Sequence, residues 1–240
     1  MTLDTRIAEA RERLRQAVRA HAPAAFSSSF GVEDMVILDL IAAGQLDVEV
    51  FTLDTGRLHD ETLALVARAS ERYGRPIRVM FPDTAQVEAF TVEHGINAFY
   101  DSIALRKRCC EIRKLAPLRR ALRGKALWIT GLRREQSVTR SEVEVLGHDS
   151  SYGLMKLNPL ADWTEREVWE YVRRFDVPTN PLHQRGFPSI GCAPCTRAVQ
   201  PGEDARAGRW WWEQATTREC GLHMDPSGRL VRAKADVTEA

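Results

Sequence analysis

Short apolar runs alternate with segments of helical spacing through the first 130 residues of the chain. The apolar runs predict buried strands at 24–26, 48–53, 77–81 and 126–130. Helices are predicted at 1–22, around 35–41, and at 59–73, 84–94 and 115–122. Strands that alternate with helices pair in parallel, since each connection must cross back over the sheet. The sequence therefore predicts an α/β fold in which helices cover both faces of a parallel sheet.

Beyond residue 130 the pattern is less regular. The pattern of residues 131–158 predicts a loop with a short hairpin. A capping box at 164–167 predicts a helix that ends near 175. The region after 178 is expected to form loops with short helices. We expect one domain over 1–223, with an N-terminal helix at 1–22, an α/β core at about 23–180 and a cysteine-bearing segment at about 181–223. Residues 224–240 are polar without apolar periodicity, which predicts a mobile tail.

Composition excludes several classes of protein. The 240 residues carry a net charge of +1 and 44% hydrophobic residues, which is typical of a soluble globular protein. No apolar run approaches the roughly 18–20 residues of a membrane span. The N-terminal helix is amphipathic and does not resemble a signal peptide, so we expect a cytoplasmic protein without a membrane partner. A pI of about 7.7 argues against nucleic acid as a partner.

One stretch departs from this neutral balance. Residues 106–125 contain nine basic residues and a single acidic one, Glu111. Such a stretch is either a solvated helix face or a surface that attracts an anionic ligand. The second interpretation is favoured by the two cysteines that lie within it, Cys109 and Cys110.

Polar loops follow three of the predicted strands. They have the sequences Ser-Ser-Ser-Phe-Gly-Val-Glu-Asp at 27–34, Leu-Asp-Thr-Gly-Arg at 53–57 and Thr-Gly-Leu-Arg-Arg-Glu-Gln-Ser at 130–137. Ligands bind at the carboxyl ends of parallel strands, where hydroxyls and backbone N–H groups can cradle a phosphate and paired arginines can clamp it. The alternatives are helix capping by the serines, Asp54 and Thr55, and exposure of the arginines at the surface. The first loop is not a Walker loop, since no Gly-Lys-Ser/Thr follows it.

Four of the five cysteines form two tight pairs, Cys109-Cys110 and Cys192 with Cys195. Four thiolates fit either tetrahedral zinc or an iron–sulfur cluster. Zinc sites favour a short spacer between paired cysteines, and Cys109-Cys110 has none, which favours the iron–sulfur cluster. A vicinal disulfide is a third interpretation, which a reducing compartment disfavours.

The fifth cysteine, Cys220, stands apart in a polar segment near the C-terminus. Arg218 beside it and His223 three residues later could lower the pKa of its thiol, while Glu219 acts in the opposite direction. Cys220 is therefore either a reactive thiolate on a flexible segment or an ordinary inert residue.

Upstream of Cys220 lie two arginines and a tryptophan block, namely Arg206, Arg209 and Trp210-Trp211-Trp212. The three-residue spacing of the arginines allows both to face one anion. Three consecutive tryptophans indicate packing more than recognition.

Taken together, these segments resemble the assimilatory adenylyl-sulfate reductases of the bacterial sulfonucleotide reductase family. The resemblance extends from about Phe26 to His223. It rests on Ser-Ser-Phe-Gly-Val-Glu-Asp at 28–34, Leu-Asp-Thr-Gly at 53–56, Cys-Cys-Glu-Ile-Arg-Lys at 109–114, Gly-Leu-Arg-Arg-Glu-Gln-Ser at 131–137, Gly-Cys-Ala-Pro-Cys-Thr-Arg at 191–197, Gly-Arg-Trp-Trp-Trp-Glu at 208–213 and Glu-Cys-Gly-Leu-His at 219–223. It implies an adenine nucleotide α-hydrolase-like fold related to the ATP pyrophosphatases, with a phosphate loop modified because the family releases AMP.

The resemblance also implies a reaction, in which reduced thioredoxin and adenosine 5′-phosphosulfate give sulfite, AMP and oxidised thioredoxin. Cys220 would attack the substrate's sulfur and carry the SO₃ group until a thioredoxin thiolate releases it as sulfite. Cys109, Cys110, Cys192 and Cys195 match the family's [4Fe-4S] ligands; in the family the cluster is required near the substrate and is not thought to relay electrons. The substrate-binding residues that the motifs imply are Ser28, Ser29, Gly31, Asp54, Thr55, Gly56, Lys114, Arg133, Arg134, Arg206, Arg209 and His223.

Two alternatives stay open at this point. One is a reductase of the 3′-phosphorylated nucleotide, although family members that prefer that substrate commonly lack both cysteine pairs. The other is a zinc-binding regulatory module that uses the basic stretch, which would be colourless where an iron–sulfur protein is brown. The sequence leaves open whether the chain forms a homo-oligomer.

Overall fold

Six strands form one sheet at the centre of the fold, in a computed structural model that describes residues 1–136 and 143–213. The strands are β1 (Ala24–Ser27), β2 (Val48–Leu53), β3 (Ile77–Met80), β4 (Leu127–Ile129), β5 (Leu146–Asp149) and β6 (Leu154–Leu157). Their order across the sheet is β3-β2-β1-β4-β6-β5, in which β5 runs antiparallel to β6 and the other neighbours pair in parallel. The predicted α/β architecture is confirmed, and β5 and β6 form the predicted hairpin.

Seven α-helices of the described residues precede, connect or follow these strands. They are α1 (Leu3–Ala20), α2 (Val32–Ala43), α3 (Asp60–Tyr73), α4 (Thr84–His94), α5 (Ile103–Cys110), α6 (Ala116–Leu122) and α7 (Glu165–Phe175). At the start of α7, Thr164 and Glu167 bond reciprocally as the capping box predicts. Helix α3 ends at Tyr73, as predicted, and is capped by Gly74, whose φ of 56° lies in the left-handed region that favours glycine.

The helices cover both faces of the sheet because strand residues alternate in direction. On one face, Phe26 of β1 lies in a large apolar cluster with residues of α1, α2, α3 and α7. On the other face, Ala25 lies in a second cluster with Phe51, Trp128 and residues of α6. A sheet that is apolar on both faces is what the continuous apolar runs of the strands predict.

The helical stretch around Cys109 and Cys110 is longer than the sequence predicts. Helix α5 leads directly into a π-helical turn, Glu111–Leu115, and this turn leads into α6. The stretch begins at Ser102, whose hydroxyl accepts a hydrogen bond from the N–H of Leu105. Because charged residues interrupt its apolar positions, apolar periodicity does not reveal this helix, in which Arg106 and Ile112 are buried. π-turns within helices are frequent at functional sites.

Beyond α7 the described chain consists of loops and short helices, as predicted. Two 3₁₀-helices, Pro181–Arg185 and Ala193–Cys195, lie in this region. Short antiparallel pairing between Thr196 and Arg209 holds the segment near residue 209 against the second cysteine pair. In the part of the chain that the structure describes, no helix has the length and apolar character needed to cross a membrane.

Candidate active site

A cavity of about 430 Å³ lies at the carboxyl ends of the parallel strands. All three polar loops predicted to bind a ligand contribute to its wall. Of the predicted substrate-binding residues, its lining includes Ser28, Ser29, Gly31, Thr55, Lys114, Arg133, Arg206 and Arg209. Cys192 also lines the cavity, so one of the paired cysteines faces the same space as the serine loop.

The serine loop after β1 is held by Asp34, a residue that sequence analysis did not select. The backbone N–H and the hydroxyl of Ser29 both donate to Asp34 Oδ2, at 2.6 and 2.7 Å. Asp34 is only 7% exposed. Burial raises the pKa of Asp34 to about 7, while the two bonds from Ser29 act in the opposite direction. A Cβ at Gly131 would overlap Asp34 Oδ1, so the glycine lets the loops after β1 and β4 meet.

The loop after β2 links the cavity to the cysteine segment. Asp54 accepts a 2.8 Å hydrogen bond from the N–H of Gly56, whose φ is 68°, and this bond shapes the turn. Neither of these two predicted site residues lines the cavity. Thr55 faces inward, with its hydroxyl 3.2 Å from the sulfur of Cys192. Arg113 donates to the carbonyl of Thr55 at 2.7 Å and thereby ties this loop to the π-turn.

The two arginines of the loop after β4 have different environments. Arg133 is buried on the cavity wall, where its guanidinium contacts Glu33 at 2.9 Å and Glu135 at 3.0 Å. Arg134 does not line the cavity: it pairs with Asp162 and donates to the carbonyl of Val143. Of the two, Arg133 is therefore the one placed near a ligand, and two carboxylates already compensate its charge.

Cationic side chains also approach the cavity from the cysteine side. Lys114 comes from the π-turn that follows Cys110, and Arg206 and Arg209 come from the segment before the end of the described residues. The guanidinium of Arg209 donates to the hydroxyl of Ser189 and to the carbonyl of Ile190, each at 3.3 Å. This side of the cavity therefore presents positive charge beside Cys192, an arrangement suited to an anionic ligand.

The two cysteine pairs lie together although more than 80 residues separate them in the sequence. No disulfide joins these four cysteines in the structure, so the vicinal disulfide is absent from it. Cys109, Cys192 and Cys195 belong to one apolar cluster with Phe99 and Trp210, and Cys110 is buried at the next position of α5. Backbone bonds between loops support this arrangement: the N–H of Ala193 donates to the carbonyl of Arg57 at 2.8 Å.

Cysteine sulfurs are the donor type that zinc ions and iron–sulfur clusters take in proteins. Burial raises the pKa of Cys109, and it raises that of Cys195 to about 12, while Arg113 and Lys114 lower that of Cys109. Buried thiolates need compensating charge, and metal binding supplies it as protons leave the sulfurs. Within residues 1–136 and 143–213, no group of three or more His, Cys, Asp or Glu side chains is arranged to hold a metal ion.

The remaining predicted site residues, Cys220 and His223, lie outside the described residues, as does the predicted tail at 224–240. Within the tryptophan block, Trp210 is fully buried, which confirms that it serves packing. Trp212 packs against Tyr100 with ring centroids 4.5 Å apart.

Comparison with known proteins agrees with this geometry. The family model "Phosphoadenosine phosphosulfate reductase domain" matches residues 23–198. The adenosine 5′-phosphosulfate reductase of Burkholderia cepacia is 54% identical over 88% of this chain and 84% of that protein. The one from Allochromatium vinosum is 51% identical over 92% of this chain and 87% of that protein.

Solved structures share the fold. A phosphoadenylyl-sulfate reductase from Candida auris superposes with a TM-score of 0.68 and 28% identity, covering 80% of this chain and 90% of that one. Yeast FAD synthetase superposes with a TM-score of 0.57 and 18% identity over 82% of this chain and 67% of that one, a likeness of fold alone. These neighbours confirm the adenine nucleotide α-hydrolase-like fold. With a family match over most of its length and relatives about half identical to it, the chain belongs to the phosphoadenosine phosphosulfate reductase family.

Proposed function

We propose that this protein reduces adenosine 5′-phosphosulfate to sulfite and AMP in assimilatory sulfate reduction. One observation carries the proposal: a single cavity brings together the serine loop, four cationic side chains and Cys192. The relatives that are about half identical to the chain are named for the same substrate. We further propose that the reaction takes place in the cytoplasm, with thioredoxin as the electron donor.

Different parts of the cavity wall would bind different parts of the substrate. The serine loop precedes the N-terminus of α2, where backbone N–H groups and the helix dipole favour phosphate oxygens. Lys114, Arg206 and Arg209 would hold the phosphosulfate and stabilise the charge that develops on departing AMP. The adenosine would occupy the remainder of the cavity near Arg133.

The first chemical step that we propose is attack by Cys220. Its thiolate forms a bond to the sulfur of the phosphosulfate, and the bond from that sulfur to the bridging oxygen breaks. AMP leaves with the electron pair, and an S-sulfonate remains on Cys220. This divides a difficult reduction into a group transfer and a thiol exchange.

In the second step, a thiolate of reduced thioredoxin attacks the sulfur of Cys220. The bond between that sulfur and the SO₃ group breaks, and sulfite departs with the electron pair. The second thioredoxin thiol then resolves the mixed disulfide, which restores the Cys220 thiolate and leaves oxidised thioredoxin. The two electrons gained by the sulfur thus come from the dithiol.

Cys109, Cys110, Cys192 and Cys195 would hold a [4Fe-4S] cluster in this proposal. When bound, the cluster supplies a compact inorganic charge beside the reacting group. Lys114 is suited to couple this charge to the substrate, because it lines the cavity and lowers the pKa of both Cys109 and Cys195. Thr55 provides a second link through its contact with Cys192.

Reduction of the 3′-phosphorylated nucleotide is a second candidate, favoured by the family description and the Candida auris neighbour. Initial rates of sulfite release with each nucleotide, at matched concentrations and with thioredoxin in excess, separate the two. We expect kcat/KM for adenosine 5′-phosphosulfate to be at least about 10-fold higher, a difference of about 1.4 kcal/mol in transition-state binding. A higher kcat/KM for the 3′-phosphorylated nucleotide would overturn the assignment.

A substitution at Gly191 tests the proposed role of Arg209 in binding. The guanidinium of Arg209 occupies the space where a Cβ on Gly191 would lie. We expect Gly191→Ala to displace Arg209 and raise KM roughly 10-fold, since small misplacements of a binding group are costly. Steady-state kinetics measure the effect, with Gly44→Ala, which lies away from the cavity lining, as control. An unchanged KM in the folded Gly191→Ala variant would contradict the assignment.

A further inference from the structure

We propose that Arg106 is a positioning residue that fixes the guanidinium of Arg209 through the ring of Trp210. Arg106 lies on α5, away from the cavity lining. The inference rests on the proposed function in one respect, since it assumes that Arg209 binds the substrate's anionic group.

The first of the three contacts that link Arg106 to Arg209 is a buried ion pair. Arg106 is 1% exposed, and its Nε and Nη2 donate to the two carboxylate oxygens of Glu213 at 2.7 and 2.9 Å. The two residues are 107 positions apart in the sequence. A bidentate pair of this kind fixes the plane of the guanidinium as well as its position. Arg106 is therefore rigid on the side that faces Trp210.

The second contact joins Arg106 to Trp210. The guanidinium carbon of Arg106 lies 4.8 Å from the centroid of the Trp210 ring, and that ring is fully buried. The backbone of Trp210 adopts a left-handed φ of 43°, and its N–H donates to the carbonyl of Cys195 at 3.1 Å. A non-glycine residue in this region is strained and persists only where its surroundings hold it. The ring is thus held from its backbone and from Arg106.

The third contact passes from Trp210 to the cavity. The guanidinium carbon of Arg209 lies 4.7 Å from the same ring centroid. Ser189 and Ile190 accept hydrogen bonds from Arg209, and its backbone pairs with Thr196. Because the Trp210 ring bounds the side chain of Arg209, a shift of the ring would move the guanidinium on the cavity wall.

Stability alone is a weak explanation for the Arg106–Glu213 pair. Burying two charges carries a desolvation penalty, and apolar replacements of such pairs are often neutral or stabilising. The pair places a fixed planar cation against the Trp210 ring, which also contacts Arg209. An apolar pair would not supply this cation. The contact between Arg106 and the Trp210 ring therefore explains why this buried pair is charged.

A double-mutant cycle tests the proposal. We expect Arg209→Met to lower kcat/KM about 100-fold, as loss of one charge-stabilising group does. Arg106→Lys keeps a positive charge for Glu213 but loses the planar fork, and we expect a decrease of roughly 10-fold. In the Arg209→Met background, Arg106→Lys should lower kcat/KM by less than about 2-fold, because the two residues act through one contact.

Two further variants keep the test decisive. Arg108→Lys, at an exposed position of the same helix, should leave kcat/KM within about 2-fold. Should Arg106→Lys fail to fold, the paired change Arg106→Met with Glu213→Met removes both charges of the ion pair together and should show the same coupling to Arg209. Multiplicative effects of Arg106→Lys and Arg209→Met, or unchanged kinetics in Arg106→Lys, would overturn the proposal. So would unchanged kinetics in Arg209→Met, while sulfite formation by the unaltered protein tests the proposed function separately.

Discussion

Replacing Cys220 with serine is expected to abolish sulfite formation, with a loss of at least about 1,000-fold in kcat. A serine hydroxyl is protonated at neutral pH and is a much weaker nucleophile than a thiolate, so no S-sulfonate can form. The measurement is the release of sulfite from adenosine 5′-phosphosulfate with reduced thioredoxin in excess.

Two controls separate this loss from damage to the fold. AMP binding by Cys220→Ser, measured by calorimetry, should match that of the unaltered protein, because the loops that line the cavity come from other parts of the chain. Its iron content should also be unchanged, since Cys220 is not one of the four proposed ligands. Sulfite production retained in this variant would end the assignment of Cys220 as nucleophile.

Replacing Cys195 with serine is expected to remove the bound iron and to lower kcat/KM by at least about 100-fold. Cys195 is buried in the apolar cluster that also contains Cys192. Loss of partners that only orient a metal ligand costs up to about 100-fold in metal affinity or activity, and loss of a ligand itself should cost more. Iron and acid-labile sulfide analysis of anaerobically purified protein, with visible absorption spectra, provides the measurement.

The Cys220→Ser protein is the matched control, because it loses the remaining cysteine and should stay brown. Zinc in the unaltered protein, with no iron or sulfide, would contradict the cluster assignment and favour the zinc-binding alternative. Full activity of Cys195→Ser without iron would show that the reaction does not need the cluster.

The sequence predicted the fold because strand and helix signals are local. The runs at 48–53 and 84–94 coincide with β2 and α4, since each combines an apolar or helical pattern with a clear boundary. The helix around Cys109 was predicted only in part. Which of its faces is buried depends on contacts such as that between Arg106 and Glu213, and a local sequence pattern does not reveal such distant contacts.

The candidate site was predictable at the level of loops and less so at the level of side chains. The loops converge because parallel strands end at one edge of the sheet. Arg133 and Arg134 are adjacent and alike, and only distant partners, Glu33 and Asp162, decide which of them lines the cavity. Asp34 occupies the third position of α2, and an acid there after a serine–glycine loop was the available signal for its role.

The most direct test of the account is mass spectrometry of the protein after incubation with adenosine 5′-phosphosulfate alone. Without thioredoxin the second step cannot proceed, so the S-sulfonate should accumulate. We expect the peptide containing Cys220 to gain the mass of one SO₃ group and to lose it when reduced thioredoxin is added. An unmodified Cys220 in protein that releases AMP, or an SO₃ group on any other residue, would contradict the proposed chemistry.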